Sequence, residues 1–188
     1  LGIAIHAGAF YPFTVVVAIA LQAALLPILG AIADYTHLKK RMLAICAYCG
    51  ALLTVALSLP GGRSYLLAGA LFIVANLCYG ASAVFYNAFL PEVATPAQRD
   101  SVSSWGWTLS AIGGGLLLAV NYALLSQAEA IGISQDSALR IVIASAGVWW
   151  ALFALIPMLT LRSRSVPKAV PQGQGLLSVG FRQLGRTL

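Results

Sequence analysis

Charge is what this sequence lacks most. No Asp, Glu, Lys or Arg occurs before Asp34, and only 9% of the 188 residues are charged, against about a quarter in a soluble domain. With 60% of residues hydrophobic, a water-soluble fold is excluded, because nothing remains to cover its surface. Histidine is nearly absent. His6 and His37 are too far apart, and too poor in neighbouring ligands, for a metal site, so neither metal nor cofactor is expected. The three cysteines say little more: Cys46 and Cys49 form C-x-x-C inside an apolar helix, where the thiolate of redox or metal chemistry is disfavoured. They and Cys78 read as small packing residues. No carboxylate, His or Cys constellation falls within one apolar segment, so an enzyme is not expected. No basic stretch precedes the first apolar run, and that run is too long for a signal peptide.

What is present is neutral sequence in long blocks. Dividing the chain at its charges leaves 1–33, 42–62, 64–91, 101–128 and 141–161, the shortest of 21 residues. About 20 apolar residues cross the hydrocarbon core as a helix, and lipid offers the backbone no other partners. The expected fold is therefore an all-α membrane protein with five transmembrane helices, at 11–33, 42–59, 65–90, 103–125 and 139–161. Cationic loops stay cytoplasmic. One side carries Lys39, Lys40, Arg41, Arg99, Arg162, Arg164, Lys168, Arg182 and Arg186, nine in all, and the other only Arg63 and Arg140. The loop at Asp34 is thus placed in the cytoplasm and residue 1 outside, which suggests a missing preceding helix. The net charge of +6 lies mostly beside the inner leaflet, and no basic face alternates with aromatics as a nucleic-acid site would. Residues 1–161 read as the bundle. Residues 162–188 begin with "RSRSVPKAVPQGQG", a basic cytoplasmic interdomain linker. Its end, with Leu177, Phe181, Leu184 and Leu188 at helical spacing, suits an amphipathic surface helix or a plain linker.

Polar groups inside spans face a partner helix or a water-filled path. In the third span Asn76, Tyr79, Ser82, Tyr86 and Asn87 fall within an arc of roughly 140° at helical spacing. They are candidates for a substrate path, together with Gln22 of the first span and Asn121 of the fourth. The bland counterpart is interhelical hydrogen bonding, worth only ~0.6 kcal/mol per bond. Leu71, Ile73, Val74, Leu77, Val84 and Phe85 form the opposite, lipid or packing side. In the fourth span Ser103, Gly106, Ser110, Gly114 and Asn121 share a face flanked by Gly113 and Gly115. Such small-residue faces let helices come close, so Gly106, Ser110, Gly113 and Gly114 are candidate packing or sliding positions. Thr95-Pro96-Ala97-Gln98 has a capping-box pattern with proline at the first position and predicts a short surface helix before the span. Trp105 and Trp107 then lie near the inner interface, whereas Trp149 and Trp150 fall mid-span and pack.

The first connecting loop, "GAIADYTHLKKRM" (Gly30 to Met42), resembles the signature loop of the major facilitator superfamily, G-x-x-x-D-[RK]-x-G-[RK]-[RK]. Gly30, Asp34 and Lys39 match in place. Tyr35, His37 and Leu38 stand where the pattern has a cation, a glycine and a cation, with Lys40 and Arg41 extending the basic run. "FYNAFLPEVATPAQRDSVSSWGWTLSAIGGGLLL" (Phe85 to Leu118) is similar to the vacuole-effluxer branch, the autophagy-linked exporters and their bacterial relatives. The likeness covers residues 11 to about 161. It implies helices two to six of a twelve-helix transporter, most of its N-terminal six-helix half, with the first helix and the C-terminal half as partners. It also implies a conformational gate at Gly30, Asp34, Lys39, Lys40 and Arg41. Gly30 permits close approach of the other half, and Asp34, at a helix C-terminus that disfavours an anion, needs a compensating donor. The cations would also meet anionic lipid.

These readings lead to a secondary active effluxer of small solutes working by alternating access. The resemblance implies amino acids as substrates, in a bacterial inner membrane or a vacuolar membrane. The rival is a non-transporting membrane scaffold or regulatory subunit that binds protein partners. A third-span stripe packed dry against a neighbour favours the rival, and an open one the transporter.

Overall fold

A computed structural model describes residues 7–59 and 64–162. The expected linker from residue 163 onward, with its amphipathic end, and also His6 and Arg63 lie outside the described residues. The described residues form five long α-helices and one short one: α1 (Ala7–Tyr35), α2 (Lys39–Ala56), α3 (Tyr65–Asn87), the single turn α4 (Leu90–Val93), α5 (Arg99–Gln127) and α6 (Gln135–Thr160). Among the described residues there is no strand.

The helices occupy the five apolar blocks, but their ends differ from those expected. A span is read from where charge resumes, whereas a helix continues until its backbone loses partners. So α1 reaches Tyr35, and α2, α5 and α6 start at Lys39, Arg99 and Gln135, each ahead of its apolar block. α1, α3, α5 and α6 are each long and apolar enough to cross a membrane. α2 has 18 residues and opens on Lys39, Lys40 and Arg41. At 1.5 Å per residue it is about 27 Å long, close to the thickness of the hydrocarbon core.

The connection after α3 also departs from expectation. Its short helix is α4, upstream of the capped segment. The Thr95 hydroxyl donates to Gln98 Oε1 at 2.8 Å, and a 3-10 turn at Pro96–Gln98 runs straight into α5 rather than forming a separate surface helix. α6 is capped by Ser134, whose hydroxyl accepts from the Ser137 N–H at 3.3 Å. In the turn before it Gly132 has φ +76°, a left-handed conformation that favours glycine.

Packing places α2 at the centre, between α3 and α6, with α1 laid on α3. Glycines set the close approaches. A Cβ at Gly69 of α3 would lie 2.7 Å from Phe10 Cζ, and one at Gly80 2.9 Å from Gln22 Cδ, both on α1. Gly50 of α2 lies under the Trp150 ring of α6, and Gly147 of α6 lies against Ala51 and Val55 of α2. α5 is outermost, and Asn121 is its buried residue. At the end bearing Lys39 to Arg41, α1, α2 and the α3–α4 junction close on one apolar cluster, Ala33, Leu43, Phe85 and Phe89. Met158 and Leu161 from the end of α6 pack against it. Phe85, expected on the lipid or packing side of its span, is fully buried there and packs.

Candidate substrate path and cytoplasmic gate

The residues expected to form a gate lie beside that apolar cluster. Three residues, Thr36 to Leu38, join α1 to α2. The Thr36 hydroxyl donates back to the Ile32 carbonyl at 2.7 Å and accepts from the Leu38 N–H at 3.3 Å, so the turn is held locally. α2 therefore begins with Lys39 directed inward. Lys39 is buried, forms an ion pair with Glu92 of α4, and sits over the Phe89 ring at 5.3 Å from its centroid. Both partners are taken from water, so each depends on the other, and Lys39 also on the ring. Lys40 donates to the Leu161 carbonyl at 2.6 Å, satisfying the end of α6. Asp34 is half-buried and engaged. Gly30 has open space where a Cβ would be.

The three cations thus have separate tasks. Lys39, expected to reach lipid, does not, because it is committed to Glu92; Lys40 is committed to α6, and Arg41 is exposed. A cleft of about 630 Å³ opens beside the pair, lined by Glu92, Val93 and residues Leu159 to Arg162. Sequence reasoning missed Glu92. The available signal was its isolation, as the one charge between Arg63 and Arg99.

The polar stripe of α3 divides in two. Asn76 is half-buried and its carbonyl accepts from Gln22 Nε2 at 2.8 Å, while the Gln22 side chain also meets the Asn76 side chain and rests on Gly80. Gln22 and Asn76 therefore tie α1 to α3. Ser82 is buried and donates to the Tyr79 carbonyl at 2.8 Å. The remainder is open: Tyr79 is 58% and Tyr86 51% exposed, and Asn87 is exposed as well. Tyr79 meets Trp150 of α6 edge-on, with centroids 6.0 Å apart, so Trp150 spans from Gly50 to the open face of α3. Asn121 is apart from this group and accepts from Ser145 of α6 at 3.0 Å. Gly106, Gly113 and Gly114 have nothing within 4 Å of a built Cβ, and Ser110 is exposed. No helix among the described residues packs on that face.

Comparison with known proteins decides the family. The profile described as "Vacuole effluxer Atg22 like" matches residues 1–188. The chain belongs to this family. It is 29% identical over 182 residues to the Bacillus subtilis protein named "Uncharacterized MFS-type transporter YxiO", covering 96% of this chain and 42% of that protein. "Autophagy-related protein 22-1" of Penicillium rubens is 23% identical over 258 residues, covering 100% of this chain and 43% of the relative. "Autophagy-related protein 22" of Pyricularia oryzae is 28% identical over 218 residues, covering 89% and 32%. The chain thus spans less than half the length of these relatives. No solved structure matches it. The membership and the apolar helices make the chain a multi-pass integral membrane protein with an all-α fold, from a family of membrane transporters.

Proposed function

We propose that this chain forms part of a secondary transporter that exports small solutes, with amino acids as the substrate class, by alternating access. The observation that carries the proposal is the open half of the α3 stripe. Two tyrosines and an asparagine stand exposed on one side of a helix apolar enough to span a membrane, where exposed polar groups are costly unless they meet water or a ligand. Tyr79, Tyr86 and Asn87 would line the path. Gln22, Asn76 and Ser82 would brace it, and Asn121 would steady α5. Gly30, Asp34, Lys39, Lys40 and Arg41 would form the gate, with Glu92 holding Lys39 in place. The vacuolar or bacterial inner-membrane setting and the remaining helices of the transporter belong to the same reading. The packed half of the stripe is what a scaffold would show, but a scaffold leaves Tyr79 and Tyr86 without a task.

The test is amino-acid efflux from vesicles containing the protein expressed from its whole reading frame. Tyr79→Ala and Asp34→Asn should each lower flux by roughly tenfold, the equivalent of one lost hydrogen bond to substrate or gate. Unchanged flux in both, at normal expression, sinks the proposal.

A further inference from the structure

Three helices meet at Gly50 of α2. A Cβ built there would lie 2.6 Å from Trp150 Cζ3 of α6 and 3.0 Å from Cys78 Cβ of α3. Glycine is what lets the indole come down onto the α2 backbone, since any side chain would push it away. From that position the same ring meets Tyr79, the residue after Cys78, edge-on. Their centroids are 6.0 Å apart and their planes 74°, an arrangement that the ring quadrupoles favour.

Tyr79 itself is fastened in part. Its carbonyl accepts from the Ser82 hydroxyl at 2.8 Å, which holds the backbone. No hydrogen bond ties its own hydroxyl among the described residues, and the residue is 58% exposed. The contact with Trp150 is therefore what directs the ring, while the hydroxyl stays available to a ligand. Trp149, the next residue along α6, turns elsewhere and packs at 4.8 Å on Phe153 of its own helix.

We infer that Trp150 is a positioning residue for the path: braced on Gly50, it fixes the angle of the Tyr79 ring and so decides how closely a substrate fits beside it. For the substrate, though not for the contact, this rests on the transporter reading. It brings α6 into substrate selection without any α6 side chain touching the substrate. Close-packed side chains transmit a displacement, so a change at Gly50, on the side of Trp150 away from the path, reaches Tyr79 through the indole.

The test uses the protein expressed from its whole reading frame and two readouts. The first is efflux kinetics in vesicles. A ring contact of this geometry is worth roughly two- to tenfold in an equilibrium constant. Trp150→Phe and Gly50→Ala should each raise KM by about that factor and change the maximal rate less. In the double variant the smaller ring makes room for the new methyl group, so KM should return towards the parent value. Trp149→Phe should leave KM where it was. The second readout is the fluorine resonance of a single fluorotyrosine placed at position 79, in detergent. It should shift in both single variants, move back in the double, and stay in place in Trp149→Phe. An unchanged KM in the single variants, a loss of rate that the double does not recover, or a resonance that does not respond overturns the inference and leaves Trp150 as ordinary packing. If the parent moves no amino acid, the efflux proposal fails instead, and the resonance alone decides whether Trp150 directs Tyr79.

Discussion

Lys39 and Glu92 leave water together, with about 9% and 8% of their side chains exposed. A buried pair of this kind adds little net stability over an apolar pair, but removing one member leaves the other buried charge less compensated, at a cost of up to about 3–5 kcal/mol. Glu92→Gln should therefore lower the thermal stability of the detergent-solubilised protein far more than Lys39→Met combined with Glu92→Leu. If the single and double variants melt alike, the pair is not what holds α4 against the start of α2. The same residue scale explains why the loop departs from the family pattern without losing its anchor. Lys39 does its work through α4 inside this chain, so the cations replaced at Tyr35 and Leu38 are not needed for that contact.

Among the elements, the glycines of α2 and α5 have opposite situations for the same residue type. A methyl group at Gly50 would overlap the Trp150 ring and come within 3.0 Å of Cys78 Cβ, and overpacking of this sort costs about 1–3 kcal/mol. A methyl group at Gly113 meets nothing in this chain, and alanine gains about 1 kcal/mol of helix propensity. In the 188-residue chain, Gly50→Ala should lower the melting temperature and Gly113→Ala should hold or raise it. Circular dichroism in detergent measures both, and a loss of stability at Gly113 would place a neighbour against α5 that the structure lacks. Trp150 shows why packing was hard to read beforehand. Its mid-span position suggested a packing residue, but only the α2–α6 contact shows that it fills the space above Gly50 and reaches Tyr79.

For the whole molecule, the balance of Lys and Arg predicts which end faces the cytoplasm, and single cysteines can report it. With Cys46, Cys49 and Cys78 replaced by alanine, Arg41→Cys should react with a membrane-impermeant maleimide only from the cytoplasmic side. Glu129→Cys, exposed on the turn after α5, should react only from the opposite side. Labelling of both from one side would reverse or break the topology. The rough places of the long helices, and the apolar character that suits α1, α3, α5 and α6 to a membrane, were legible in the sequence because lipid imposes length and hydrophobicity on each span separately, whereas α2, expected as a fifth span, is not among the helices that meet both. Their ends were less legible, since a helix runs on through Lys39 or Arg99 when its backbone finds partners there.

The division of the α3 stripe lay beyond that reach. Helical spacing put Asn76, Tyr79, Ser82, Tyr86 and Asn87 on one arc, but spacing does not say which part of the arc a neighbour covers. α1 covers Asn76 through Gln22, while Tyr79 and Tyr86 stay open. The pairing of Lys39 with Glu92 likewise joins residues 53 apart in the chain. The sequence by itself determined that this is a helical membrane protein and its family, because those follow from composition and local motif. Only the tertiary structure decided which polar groups are braces and which are open, and which cations are already committed, because those depend on the side chains that distant segments bring into contact.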